Sequence, residues 1–294
     1  MIGITTFGDK RLSKTLVRFE RQAQLIGAFD DIIINCEDEL PDWYLWEHKD
    51  RLKRSVRGFG YWCWKPFVIL QALTNNPNLD VLFYCDAGCH IRASGIDRMN
   101  DYIDALQVSN KDILAFQGSI TGAYFDYDGR RLPDLTESHW TKGDLFHEFG
   151  INEGHSNAQT EQYGSGVIGL KNNSAVRDML QVWIQNTGIK PHLFDDQVSE
   201  KPNFSGFREN RHDQSYFSLL AKEIGVETFS AFEYWYPKPT ALSEDVFEAE
   251  ADWRVLDRSP FFALRDRPIS FLDRGRDMVA KMITVSMPQK KKAE

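Results

Sequence analysis

Along the first third of the chain, apolar positions switch between two periods, and the switching predicts alternating strands and helices. Ile2 to Thr6 is a short β-prone run, after which Leu12, Leu16, Phe19, Ala23 and Ile26 recur at helical spacing with Gly27 as the stop. Asp31-Ile-Ile-Ile-Asn35 is a continuous apolar run of the kind a buried parallel strand needs. These segments make a β-α-β opening. The alternation continues with a Trp-rich helix at 42–53 and a helix that has Pro66 in its first turn and stops near Asn75-Asn76-Pro77. A strand at Val81-Leu-Phe-Tyr-Cys85, a helix opened by Ser94 and a strand around Ile113 to Phe116 complete this part.

From about 117 to 165 the pattern turns polar and Gly-rich, which in a compact enzyme predicts a lid or substrate loop. Order returns at Gly166-Val-Ile-Gly-Leu170 and in a helix from Ser174 to about Asn186. A second loop, 187–210, precedes a helix at 213–224 with Tyr216, Phe217, Leu219, Leu220 and Ile224 inward and Gly225 as its cap. No internal repeat or low-complexity linker interrupts the chain.

Composition adds a little to this. The chain has 294 residues, 42% hydrophobic and 27% charged, ordinary values for globular material that can bury a sizeable core. Its 20 Phe, 10 Tyr and 8 Trp fit either an aromatic core or pockets for flat or ring-shaped ligands. Cys36, Cys63, Cys85 and Cys89 lack the paired spacing of zinc sites, and the seven histidines supply no H-E-x-x-H. A reducing, cytoplasmic compartment is the expectation. No apolar run reaches the roughly 20 residues that span a bilayer.

Charge divides the chain in two. Residues 1–253 carry 25 Lys and Arg against 38 Asp and Glu, whereas 254–294 carry 10 against 5. The acidic body argues against nucleic-acid binding. The expected organisation is therefore a catalytic domain over 1–253 and a basic extension over 254–294. In that extension Phe271, Met278, Met282 and Val285 fall near one helical face, with Arg274, Lys281 and Lys290-Lys-Lys292 supplying charge. Segment 270–292 is thus a candidate for peripheral contact with an anionic membrane, or for a helix that docks on the domain.

Ligands in open α/β sheets sit at the carboxyl ends of strands. Thr5, Thr6, Phe7 and Gly8 hold that position after the first strand, and Asp86-Ala-Gly88 holds it after the Val81 strand. A carboxylate there either binds a divalent cation that neutralises a diphosphate or caps the following turn. Lys65, at a helix start, either faces a phosphate or is solvated. Asp213 opens a strong helix, where it binds sugar hydroxyls, acts as base on an acceptor hydroxyl, or serves only as an N-cap. Asp195 and Asp196 are the next candidates for the base. Asp126-Tyr-Asp128 precedes Gly129 in a stretch where Asp is favoured for turn chemistry alone.

Four ordered blocks carry a resemblance. They are Gly58-Phe-Gly-Tyr-Trp-Cys-Trp-Lys-Pro66, Tyr84-Cys-Asp-Ala-Gly-Cys89, Trp140-Thr-Lys-Gly-Asp-Leu-Phe146 and the segment from Asn203 to Leu220 with Arg211-His-Asp-Gln214 at its centre. Together they resemble a family of bacterial and viral glycosyltransferase-like proteins. The resemblance implies a GT-A fold, a Rossmann-like mixed sheet flanked by helices, with a UDP- or GDP-sugar donor and a glycan or glycolipid acceptor. It puts Asp86 at the position of the Asp-x-Asp motif that holds Mn²⁺ or Mg²⁺, although Gly88 stands where the second carboxylate belongs. It also makes Asp213 and Gln214 similar to the Asp-Gln pair that retaining GT-A enzymes of the glycogenin type place beside the anomeric carbon. Lys142 and Asp144 become donor or acceptor contacts or a helix-start ion pair, and Arg211 and His212 become donor-binding candidates. The rival functions are a sugar nucleotidyltransferase and a catalytically inactive carbohydrate-binding protein. No Gly-rich, Lys-containing phosphate loop follows the first strand, which weighs against the nucleotidyltransferase.

Overall fold

The computed structural model describes residues 1–118, 135–234 and 258–263; Asp126-Tyr-Asp128 and the basic segment 270–292 lie outside the described residues. All of the described residues fall in one compact unit, the main unit.

The β-α-β opening is β1 (Ile2–Gly8), α1 (Ser13–Ile26) and β2 (Asp31–Cys36). Helix α1 buries Leu16, Phe19, Ala23 and Ile26 and ends at Gly27, whose φ of 69° is the left-handed conformation that lets the chain leave the helix. The apolar run in β2 predicts a fully buried strand. Among the described residues it is instead a sheet edge, paired only with β1, and Ile32, Ile33 and Ile34 are half-buried. Next come the short α2 (Asp42–Glu47), the single turn α3 (Gly58–Tyr61), α4 (Lys65–Asn75) and the wholly buried β3 (Val81–Cys85). They are followed by β4 (His90–Ile91), α5 (Ile96–Val108) and β5 (Ile113–Gln117).

In the polar stretch predicted as loop, the described residues form the short helices α6 (Glu137–Trp140), α7 (Gly143–Glu148) and α8 (Ser156–Gln159). The next strand, β6 (Tyr163–Lys171), starts earlier than the apolar pattern suggests. Then follow α9 (Ser174–Ile189), α10 (Asp213–Ile224), β7 (Glu227–Ser230) and β8 (Phe261–Phe262). The main sheet has the order β2-β1-β3-β6-β5-β7. Strands β2, β1 and β3 are parallel, while β6 runs antiparallel to both β3 and β5. This is the mixed, mostly parallel α/β sheet flanked by helices that the family resemblance implies.

Period-2 alternation in β3 divides its side chains between two cores. Leu82 and Tyr84 join Trp64, Ile69, Leu73, Trp183, Tyr216 and Phe217 on one face. Val81, Phe83 and Cys85 join Phe19, Met99, Tyr102, Phe116 and Phe261 on the other. Each such side chain contributes about 1.5–3 kcal/mol on burial. Phe261 belongs to the region assigned to the basic extension, yet residues 258–263 sit in the main unit. There β8 pairs with β4, and Phe261 is fully buried. A two-residue strand has no periodicity from which it could be read.

Helix α2 stops short of residue 53 because the chain turns to send Arg51 to the end of α9. The Arg51 guanidinium donates to the Thr187 carbonyl at 2.5 Å and to Nδ1 of the buried His48 at 2.7 Å. Burial, reinforced by the Arg51 charge, lowers the His48 pKa from 6.5 to about 4. The unfolded chain therefore takes up a proton near pH 6.5 that the native ring refuses until about pH 4. The stability this ring contributes is complete above that window and is lost as pH falls through it, at up to about 1.4 kcal/mol per pH unit. The difference in urea midpoint between wild type and His48→Asn, whose amide oxygen still accepts from Arg51, is expected to shrink from pH 6.5 to pH 4. A difference independent of pH would refute this.

Candidate functional site

Three neighbouring strands bring the site together. β3 lies between β1 and β6, and the antiparallel β6 places Ser165 and Gly166 beside the carboxyl end of β3. Asp86 follows that end and its backbone N–H donates to the Gly166 carbonyl at 2.8 Å. An ideal Cβ at Gly166 would lie 3.3 Å from Asp86 Oδ2, so glycine there leaves room around the carboxylate. Oδ1 of Asp86 accepts from the Tyr84 hydroxyl at 2.6 Å. Burial and the adjacent Asp86 push the Tyr84 phenol well above its ordinary range, which keeps it a donor.

Lys65 is the first residue of α4 and is 1% exposed, so it is not the solvated lysine that a helix start allows. Its Nζ lies 2.5 Å from Asp213 Oδ2 and 3.3 Å from Asp86 Oδ1. It also donates to the Ser165 carbonyl at 3.0 Å and Oγ at 3.2 Å, and stands over the Tyr84 ring. Burial opposes its charge, but the Asp213 and Asp86 carboxylates outweigh burial and raise the pKa. Asp213 is the first residue of α10 rather than its N-cap, and its Oδ2 also accepts from Ser165 Oγ at 2.8 Å. Burial pushes the Asp213 carboxyl up. An ammonium and a hydroxyl donating to one oxygen hold the pair in its ionised form. The cluster Asp86, Lys65 and Asp213 thus carries a net charge of about −1, and Asp86 is its open member, with 37% of its side chain exposed.

The remaining candidates divide. Thr5, Thr6 and Phe7 lie inside β1 rather than after it. Thr5 bonds to Asn35 and the Ile33 carbonyl, Phe7 stacks on Trp64 at 4.1 Å, and Thr6 Oγ1 is buried with no partner among the described residues. Gly88 is in the turn after Asp86. Gln214 donates to Gln162 Oε1 at 2.9 Å, and the Arg211 guanidinium lies 4.2 Å over Trp140. Lys142 pairs with Asp195 rather than with Asp144. It is buried, and its Nζ donates to the carbonyls of His192, Asp195 and Gln197 and lies 3.4 Å from Asp195 Oδ1. Asp144 accepts from the backbone N–H groups of Glu200 and Lys201. Together they tie down the loop that carries Asp195 and Asp196.

Beside Asp213 the backbone is strained. The described non-glycine residues with positive φ are Phe59, Tyr61, Trp62 and His212, and the rings of Tyr61 and Trp62 lie 5.0 and 5.7 Å from that of His212. Such conformations cost of order 1–3 kcal/mol each, persist where the surrounding packing holds them, and cluster at ligand-binding sites. Tyr84, Ser165 and this strained group are what sequence reasoning missed. The signal available for Tyr84 was a phenol at the last but one position of a wholly apolar strand.

Among the described residues no three His, Cys, Asp or Glu side chains gather to hold a metal ion. Asp86 by itself is not a closed site. One carboxylate together with substrate phosphates is, however, a set in which Mg²⁺ is commonly bound, so Asp86 fits a cation that arrives with a diphosphate. Among the described residues no helix is long and apolar enough to cross a membrane.

No protein-family model matches the chain, and no curated protein matches it. Among solved structures it is similar to a glycosyltransferase involved in the glycosylation of the major capsid of PBCV-1, at 9% identity and a TM-score of 0.47, covering 96% of this chain and 99% of that one. It is similar to the galactosyltransferase LgtC in complex with donor and acceptor sugar analogs at 11% identity and a TM-score of 0.41, covering 98% of each chain. Mouse xyloside xylosyltransferase 1 is similar at 12% identity and a TM-score of 0.39, covering 80% of this chain and 87% of that one. At such distances only this chain's own side chains speak to its chemistry.

Proposed function

We propose that this chain is a GT-A-like glycosyltransferase that moves a sugar from UDP or GDP to a carbohydrate hydroxyl, free or lipid-linked. The observation that carries the reading is the half-open Asp86 carboxylate at the carboxyl end of a central strand, oriented by the Tyr84 hydroxyl and backed by a buried ammonium that Asp213 anchors. Sheets of this class bind nucleotides at that edge. Asp86 is fixed from behind, so its open side is free to accept hydroxyls or to hold the donor's cation. When bound, Mn²⁺ or Mg²⁺ at Asp86 would neutralise charge on the departing diphosphate. Lys65 holds Asp86 and Asp213 at a fixed separation, and Asp213 stands in the N-terminal turn of α10. In the transfer the acceptor hydroxyl oxygen bonds to the anomeric carbon and its proton passes to the departing diphosphate oxygen. The bond between the anomeric carbon and that oxygen breaks with the electron pair leaving on the diphosphate.

Incubation with a panel of UDP- and GDP-sugars, with and without Mn²⁺ and without acceptor, tests the reading. The expected result is slow release of UDP or GDP above the buffer rate. Binding without release would indicate an inactive carbohydrate-binding protein, and formation of a sugar nucleotide from a nucleoside triphosphate and a sugar phosphate would indicate the nucleotidyltransferase.

A further inference from the structure

The turn that carries Asp86 is held from one side by two side chains of α1. Within it the Cys89 N–H donates to the Asp86 carbonyl at 2.8 Å, and Ala87 and Cys89 are buried. Carbonyls in so buried a turn need donors, and Arg18 supplies them. Its Nη2 donates to the Ala87 carbonyl at 2.6 Å and its Nη1 to the Cys89 carbonyl at 2.9 Å. Gln22, one helical turn further on, fixes that fork, because its Oε1 accepts from Arg18 Nη1 at 2.8 Å and from the Ile91 N–H at 3.1 Å. The Gln22 Nε2 lies 3.1 Å from His90 Nδ1. Arg18 and Gln22 are neighbours at i and i+4 on a helix whose Leu16, Phe19, Ala23 and Ile26 are buried in the core, so a rigid element grips the turn. Tyr84 and Lys65 meet the Asp86 carboxylate at Oδ1, and the aim of the carboxylate therefore depends on the backbone that carries it.

We propose that Arg18, braced by Gln22, is a positioning residue for Asp86. It clamps the Asp86–Cys89 turn through backbone carbonyls, so that the carboxylate meets the donor in one place. This rests on the glycosyltransferase reading. The demand for such a clamp is kinetic, since a misplacement of about 1 Å in an active site can cost on the order of a hundredfold in rate.

Arg18→Met removes the fork and keeps an apolar stem on α1. Amide exchange followed by NMR in the ligand-free protein is expected to quicken about tenfold or more at Cys89 and Ile91 relative to the amides of β3, because opening the turn no longer breaks the guanidinium's bonds. At saturating sugar nucleotide, kcat for UDP or GDP release is expected to fall about 10–10²-fold, with nucleotide Kd within about threefold of wild type. Arg18→Lys keeps the charge and gives up the fork, so it should fall between the two proteins in both readouts, and it replaces Arg18→Met if that variant does not fold. Exchange at Cys89 that is unchanged, or that quickens no more than in β3, would make Arg18 a general stabiliser and overturn the proposal. Wild-type kcat in a variant whose turn exchanges freely would overturn it too. The glycosyltransferase reading fails separately, by absence of UDP and GDP binding to the wild type, and the exchange measurement does not depend on it.

Discussion

Lys65→Met is expected to destabilise the protein by about 3–5 kcal/mol, more than any other single change in the site, because it strips the counter-charge from a buried carboxylate. Asp213 is 4% exposed, and without Lys65 its Oδ2 keeps only the Ser165 hydroxyl. The fate of the double variant is more telling than the single loss. In Lys65→Met/Asp213→Asn no charge is left buried without a partner, since Asp86 is open to water, and most of the stability should return. Urea unfolding of the four proteins in the cycle gives the coupling directly. A double variant as unstable as the sum of the two singles would show that Lys65 and Asp213 act independently and that the ion pair is not what organises the site.

Much of the architecture is legible in the sequence because it is local. The face of α1 repeats at 3.6 residues, and Leu16, Phe19, Ala23 and Ile26 are buried as the period selects. In α10, by contrast, Tyr216, Phe217 and Leu219 are buried, Leu220 is half-buried and Ile224, expected inward, is exposed in the helix's last turn. Strand direction is not local. Nothing in Gly166-Val-Ile-Gly-Leu170 records that β6 runs against its neighbours, yet that reversal is what delivers Ser165 to Lys65. Strand β7 escapes notice because Glu227-Thr-Phe-Ser230 is short and mixed in polarity. In the site, Asp86, Lys65 and Asp213 each attract attention by standing at the end of a strand or the start of a helix. That Lys65 and Asp213 meet across 148 positions is a property of the fold alone. Lys142 shows the converse, because a lysine beside a glycine looks the same whether it faces phosphate or a ring of backbone carbonyls.

Asp86→Asn is expected to lower turnover by about 10²–10³ while leaving the fold intact, and the contrast with Asp213 explains why both halves of that statement are needed. Asparagine keeps an oxygen to accept from Tyr84, and Lys65 keeps Asp213 at 2.5 Å, so no buried charge is stranded. The lost pairing involves a carboxylate that is more than a third exposed and is worth at most about 1 kcal/mol. What disappears is negative charge on the open side of the site, where hydroxyls or the donor's cation are to be held as the glycosidic bond breaks, a kind of loss that costs about 3–4 kcal/mol in the barrier. Asp213→Asn should lower turnover too, but with a clear drop in urea midpoint, because its carboxylate is buried against the ammonium. Measuring kcat for donor release at saturating sugar nucleotide alongside the midpoint of each variant separates the two roles. Wild-type turnover in Asp86→Asn would remove Asp86 from the mechanism. A midpoint as low as that of Lys65→Met would make it a structural residue whose exposure is incidental.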